Sequence, residues 1–349
     1  MSSGLLARLL TQARQRWPGL LLCGVVALAA TFVSGQYGGP QLLYALLMGL
    51  AFNFLATDAR IRPGLDLCGR TLLRAGVALL GLRITAHQVV ALGWQTAVLT
   101  LLAMASTIGL GLWLARVLRR PGAEGMIAGA SVGICGASAA LAVSSVLPAS
   151  RENERFTLMT VVGVTLLSTC AMVLYPMVAQ WVGMRPSEAG VFFGAAIHDV
   201  AQVVAAATLL SGAGEQAAAD SAVIVKLFRV MLLMPVALLV AMCWPRPRGG
   251  GNSEADSDPE PPDRPVPLLP GFLLVFIVCM LVNTSGLVPP HLSALGSQAS
   301  RGLLVMAIAA VGVKTQPQDL LKLGWAPVVM LVTETVWIAV FAITAVHWL

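Results

Sequence analysis

Polar residues in this chain gather into short clusters, and between them run tracts of Leu, Val, Ala, Ile, Gly and Met. Each tract is long enough to cross a hydrocarbon core about 30 Å thick as a helix. The pattern predicts eleven spans, at residues 18–35, 39–56, 68–85, 92–116, 125–148, 156–182, 188–211, 221–243, 268–284, 299–313 and 325–347. The expected fold class is therefore an all-α membrane protein of about eleven transmembrane helices. The first tract follows Arg8, Arg14 and Arg16 and contains Ala27-Leu28-Ala29, which resembles a signal-peptide cleavage site. So many spans follow it that a retained helix is the better reading.

Composition agrees with that class. Of 349 residues 57% are apolar and 11% charged, whereas a soluble domain carries about a quarter charged residues. An excess of six basic residues in such a chain records topology instead of a nucleic-acid partner. A cytoplasmic N-terminus puts fifteen Lys and Arg inside, among them Arg60, Arg62, Arg116, Arg119, Arg120, Arg185 and Lys314. It leaves Arg83, Arg151, Arg155 and Arg301 outside, as the positive-inside rule requires. Residues 244–266, rich in Pro, Gly and acids, read as a flexible cytoplasmic linker between a first bundle at 1–243 and a second at 267–349. The six cysteines show neither disulfide density nor metal-ligand spacing, and no metal or cofactor is expected.

One internal repeat suggests how the spans are arranged. Residues 70–94 align without a gap on 301–325, and Arg70, Leu72, Leu73, Ala78, Gly81, Leu92, Gly93 and Trp94 meet identical residues. Arg83 meets Lys314, so the two copies would cross in opposite directions, an arrangement found in secondary transporters.

Three segments could carry chemistry. In Gly125–Ala140, Gly125, Gly129 and Gly133 form a small-residue face, and Gly136 and Ser138 weaken the helix beyond it. If the chain unwinds over Gly133, Ile134, Cys135 and Gly136, the amides of Ala137 and Ser138 begin a half-helix whose positive end, with Ser131 nearby, could hold an anion at mid-membrane. The competing reading is a continuous helix packed closely on a neighbour. In the second segment His198, Asp199 and Gln202 interrupt an apolar span, where ionisable groups usually line a cavity. On a continuous helix His198 and Gln202 share a face; at a break, Asp199 would cap a half-helix beginning at Val200. The third holds Lys226 and Arg229 three residues apart, either attracting an anion, neutralising Asp199 or snorkelling to headgroups. No H-E-x-x-H, G-x-S-x-G or nucleotide-binding glycine loop is present, so an enzyme is not expected.

These segments, G-A-S-V-G-I-C-G-A-S-A-A, H-D-V-A-Q-V-V-A-A and A-V-I-V-K-L-F-R-V-M-L-L, together with R-A-G-V-A-L-L-G-L-R-I earlier, resemble the bacterial sulfate exporter family of multi-pass membrane proteins along essentially the whole chain. That family is grouped with the cation/proton antiporter and bile-acid symporter superfamily. The resemblance implies a core with broken, crossing helices, an inner-membrane location, often a homodimer, and elevator-like movement. It also implies export of sulfate or a related sulfur oxyanion or sulfonate, the alternative being a proton- or sodium-coupled carrier of another small organic anion. Ser131, Gly133 to Ser138, His198, Asp199, Gln202, Lys226 and Arg229 are the expected substrate-binding residues.

Overall fold

The computed structural model describes residues 2–37, 41–148, 150–210, 215–244, 271–286, 288–315 and 325–347, with the backbone alone for residues 2–13 and 290. The expected linker, apart from Trp244, lies outside the described residues, as do Leu323 and Gly324 of the second repeat copy. Every regular element among the described residues is helical: α1 (Ser2–Tyr37), α2 (Gln41–Ala51), α3 (Arg62–Asp66), α4 (Leu73–Leu80), α5 (Ala86–Ala91), α6 (Gly93–Val117), α7 (Gly122–Ala130), α8 (Ala137–Val146), α9 (Arg151–Val182), α10 (Pro186–Ala196), α11 (Val200–Thr208), α12 (Glu215–Met231), α13 (Leu233–Cys243), α14 (Gly271–Thr284), α15 (Pro290–Lys314) and α16 (Trp325–Val346). Among the described residues six helical stretches are long and apolar enough to cross a membrane: within α1, through α6, through α9, through α12 and α13 together, within α15, and through α16. The remaining tracts fold as shorter pieces.

Ion pairs mark the two ends of the bundle. At one end Arg83 meets Asp220 at 2.7 Å, with Gln88 on the second carboxylate oxygen. At the other, Lys314 meets Asp66 at 2.6 Å. Helices α4 and α15 run antiparallel between these ends: Ser300 donates to the Gly76 carbonyl and Ser293 to that of Leu82. The two repeat copies thus point in opposite directions. Helices on either side of the linker interleave, α15 packing on α2 and α4, and α16 on α6, α9 and α10.

Tracts 125–148 and 188–211 do not cross the bundle. α7 lies antiparallel to α6, with Gly125 against Gly111, Gly129 against Ile108 and Gly133 facing Met104, so it descends from the Lys314 end to mid-depth. The chain then turns back. Thr157 donates to Ser144 and Asn153 to the Pro148 carbonyl, which sets the end of α8 beside the start of α9. A cleft of about 370 Å³ lined by Arg120, Glu152, Arg155 and Trp325 puts both ends of this hairpin on one face. The second hairpin enters from the opposite end. α10 runs parallel to α12, Gly190 against Ala218 and Gly194 against Ala222, and α11 returns so that Thr208 shares a cleft with Arg83, Glu215 and Asp220.

This corrects two assignments made from hydropathy. Arg151 and Arg155 lie at the same end as Arg120, and Arg185 lies at the Arg83 end. The cause is length: α8, α10 and α11 have 10, 11 and 9 residues, about 13–17 Å each, half of what a crossing needs. A tract of 24 apolar residues gives the same hydropathy whether it is straight or folded back.

The outer surface suits lipid. Leu28, Leu102, Leu158 and Met242 are exposed along the sides, while Trp17 and Trp325 stand at one end and Trp94 and Trp181 at the other, as interfacial aromatics do. Inside, the closest helix crossings fall on small residues, Gly19 on Gly64 and Gly49 on Gly312 among them. Backbone approach of this kind substitutes for the hydrophobic effect, which lipid does not supply between helices.

Candidate functional site: where the hairpins meet

The first hairpin is broken by backbone geometry at one residue. After α7 the helix widens into a π turn over Ser131–Cys135, and Gly136 then adopts φ 66°, ψ −132°, a region in which a side chain is strained. Two bonds hold the break: the Gly136 amide donates to the Ser131 carbonyl at 2.8 Å, and the Ser131 hydroxyl donates to the Gly136 carbonyl at 3.0 Å. The same carbonyl accepts from the amides of Ala139 and Ala140. The amides of Ala137 and Ser138, at the head of α8, have no helical carbonyl to reach. Ala137 is half-buried and Ser138 exposed, whereas Gly133, Ile134, Cys135 and Gly136 behind them are buried.

In the second hairpin Ile197 and Asp199 are extended and end α10. The Asp199 carboxylate accepts from the Ala201 amide at 2.8 Å, capping α11. Its own amide donates to Ser168 of α9 at 3.1 Å. A Cβ built on Gly136 would sit 3.5 Å from the His198 carbonyl oxygen, so the two breaks touch. His198 and Gln202 part company because the chain is extended between α10 and α11. The buried His198 ring places Nε2 3.1 Å from the Thr335 hydroxyl of α16, and the Gln202 amide donates to Thr169 of α9 at 2.8 Å.

Lys226 and Arg229 are used in a way none of the three sequence readings offered. Both are essentially fully buried, and both point at backbone. Lys226 donates to the carbonyls of Ile134 and Ile197 at 2.8 and 2.9 Å. Arg229 donates to Gly133, Val132, Gly194 and Ile197. These carbonyls are the C-terminal ends of the two descending half-helices, where the macrodipole is negative and no amide follows to satisfy them. The two cations are their caps.

Four half-helix ends therefore converge at mid-depth, and three carry a counter-charge. The two C-terminal ends have Lys226 and Arg229, and the N-terminal end of α11 has Asp199. The N-terminal end of α8, at Ala137 and Ser138, has no acidic side chain on it among the described residues, and Ser138 there is exposed. Among those residues no group of three or more His, Cys, Asp or Glu gathers as a metal site would.

Ser168, Thr169, Thr335 and Glu334 escaped the sequence reading. The hydroxyls gave no signal, being common and harmless in apolar helices. Glu334 did give one: it is a lone acid inside an apolar tract, the criterion that singled out His198.

Comparison with known proteins places these features in a family. Residues 18–331 match the family model described as Conserved hypothetical protein 698. The chain is 42% identical to the UPF0324 membrane protein CT0845 of Chlorobaculum tepidum, over 95% of this chain and 90% of that protein. It is 43% identical to the UPF0324 membrane protein TauZ of Paracoccus denitrificans, over 95% of each. A more distant relative, from Corynebacterium glutamicum, is 29% identical over 90% of this chain and 87% of its own length. With its helical bundle, its apolar flanks and these full-length likenesses, the chain belongs to the UPF0324 family of membrane proteins.

Proposed function

We propose that this chain is a secondary transporter that carries a small anion outward across the bacterial inner membrane, sulfate or a related sulfur oxyanion or sulfonate first among the candidates. The observation that carries the reading is the start of α8. It is a helix N-terminus at mid-depth, exposed at Ser138, with no side-chain cap among the described residues and no acidic side chain of its own. Such an end binds negative charge. Two hairpins entering from opposite ends bring their tips to one central point, the arrangement that alternating access around a fixed site would use. In this reading nine crossings and two hairpins leave the N-terminus in the cytoplasm and the C-terminus outside. Arg83 and Arg185 are then outside, while Arg16, Arg62, Arg119, Arg120, Arg151, Arg155 and Lys314 are inside, in keeping with the positive-inside rule. An inside-negative potential drives each negative charge outward by about 2.3 kcal/mol per 100 mV, so export of a dianion needs no coupled ion.

The test is reconstitution into liposomes with labelled sulfate, and with sulfite, thiosulfate, taurine and dicarboxylates as competitors. Saturable flux that grows with an imposed potential is expected. Flux of a dicarboxylate alone, driven by a proton or sodium gradient, would transfer the site to the coupled organic-anion carrier. No flux of any anion would remove the transporter reading.

A further inference from the structure

Glu334 lies nine residues into α16, about 14 Å from its first residue and so near mid-depth. Its side chain is 0% exposed, and among the described residues neither carboxylate oxygen has a hydrogen-bond partner. It sits at the α6–α7 crossing: a Cβ built on Gly111 would fall 2.6 Å from Glu334 Oε1 and 3.0 Å from the Gly129 Cα. Glycine at that position is what leaves the carboxyl its space.

Among the described residues no neighbouring charge answers it. Of the ionisable groups on the elements packed around α16, Glu124 of α7 is held by Arg120, Glu188 of α10 by Arg185, and Arg116 of α6 is exposed. His198, at the tip of the second hairpin, is bonded to Thr335. On α9, Tyr175 is stacked on Phe192, Cys170 is exposed, and Arg151, Glu152, Glu154 and Arg155 lie in its first two turns at the bundle end. Cys135 is a buried free cysteine in the π turn.

An ionised carboxylate taken out of water needs a cation or several donors. This one has neither, so each time it is enclosed it must carry a proton. A sodium ion would demand several oxygen ligands around it, and the carboxyl oxygens have no polar partner; a proton demands no such shell. The next residue, Thr335, touches the tip of the second hairpin, while Glu334 itself presses on α6 and α7, the root of the first. The residue thus stands where both hairpins meet α16.

We infer that Glu334 is an exchangeable proton-binding site, filled when α7 closes on α6 and α16 and emptied when that contact opens. Resting on the transporter reading, this makes a proton the second ligand of the cycle and links its release to movement of the first hairpin.

The test has one arm that does not depend on transport. Infrared difference spectra of the purified wild-type protein against Glu334→Gln should show a protonated-carboxyl band at neutral pH that shifts in D2O, with Glu334→Asp keeping a band. A missing band, or one that stays unexchanged in D2O, overturns the proton site. In liposomes with an internal pH indicator and the potential clamped, anion flux should move protons, and Glu334→Gln should keep anion exchange while losing at least tenfold of the proton movement. Anion flux without proton movement in the wild type overturns the coupling. If no anion moves at all, the anion reading fails and the infrared result still decides the site.

Discussion

Arg229 donates through all three of its guanidinium nitrogens to carbonyls of two different hairpins, and this defines what its loss should do. Glutamine cannot span four acceptors. Several buried carbonyls would lose partners at about 1–3 kcal/mol each, so Arg229→Gln should cost at least about 3 kcal/mol and lower the melting temperature in detergent sharply. If the variant melts like the parent and only its anion affinity drops, the capping role assigned to Arg229 is wrong. Ser138 predicts the opposite pattern. An aspartate there would place on α8 the counter-charge that Asp199 gives α11, favourable to the helix by about 0.3–1 kcal/mol. Ser138→Asp should therefore fold at least as well as the parent yet raise the anion KM by about tenfold or more, near 1.4 kcal/mol of binding. Equal KM values would mean that the anion binds elsewhere.

At the scale of the element, the glycines of α7 and the glycine that ends it do different work. Gly125 and Gly129 lie in backbone contact with α6, where a side chain has no room. Gly136 has room, since its nearest non-local atoms stand 3.5 Å or more from a built Cβ, but its φ of +66° strains any side chain. Gly125→Leu should thus abolish folded protein, by size-exclusion profile. Gly136→Ala should still fold, losing about 1–3 kcal/mol, and transport slowly because the break is displaced. A Gly136→Ala variant with parental flux and stability would show that the break is not needed. Both readings of the small-residue segment are thus present in sequence order: a packing face first, then an interruption. The spacing announced the face; the interruption could be placed only to within a few residues, because Gly133 and Gly136 look alike until a backbone angle tells them apart.

For the whole molecule the discriminating quantity is which ends share a side. Single cysteines at Arg119 and Arg151, in a background with the native cysteines replaced, should react with a membrane-impermeant thiol reagent from one side, and a cysteine at Arg185 from the other. Labelling of 119 and 151 from opposite sides would restore the eleven-span topology and dissolve the first hairpin. Much of the candidate site was legible in the chain, since Gly136, His198, Asp199, Lys226 and Arg229 are polar or helix-breaking residues in apolar surroundings, and such residues are costly unless used. Their roles were less legible. Nothing in the order of residues says that Lys226 will reach Ile134, 92 positions away, or that His198 will turn to Thr335.

Order of residues alone determined the class of solvent, the helical content, the places where helices must weaken and the opposite sense of the two repeats. Each follows from local quantities: tract length, side-chain transfer cost and backbone freedom. Tertiary structure decided that two tracts fold back on themselves, that two buried cations cap carbonyls, and that one helix end was left without a counter-charge among the described residues. Those are facts about which ends come together, and charge balance at a meeting point depends on every partner that arrives there.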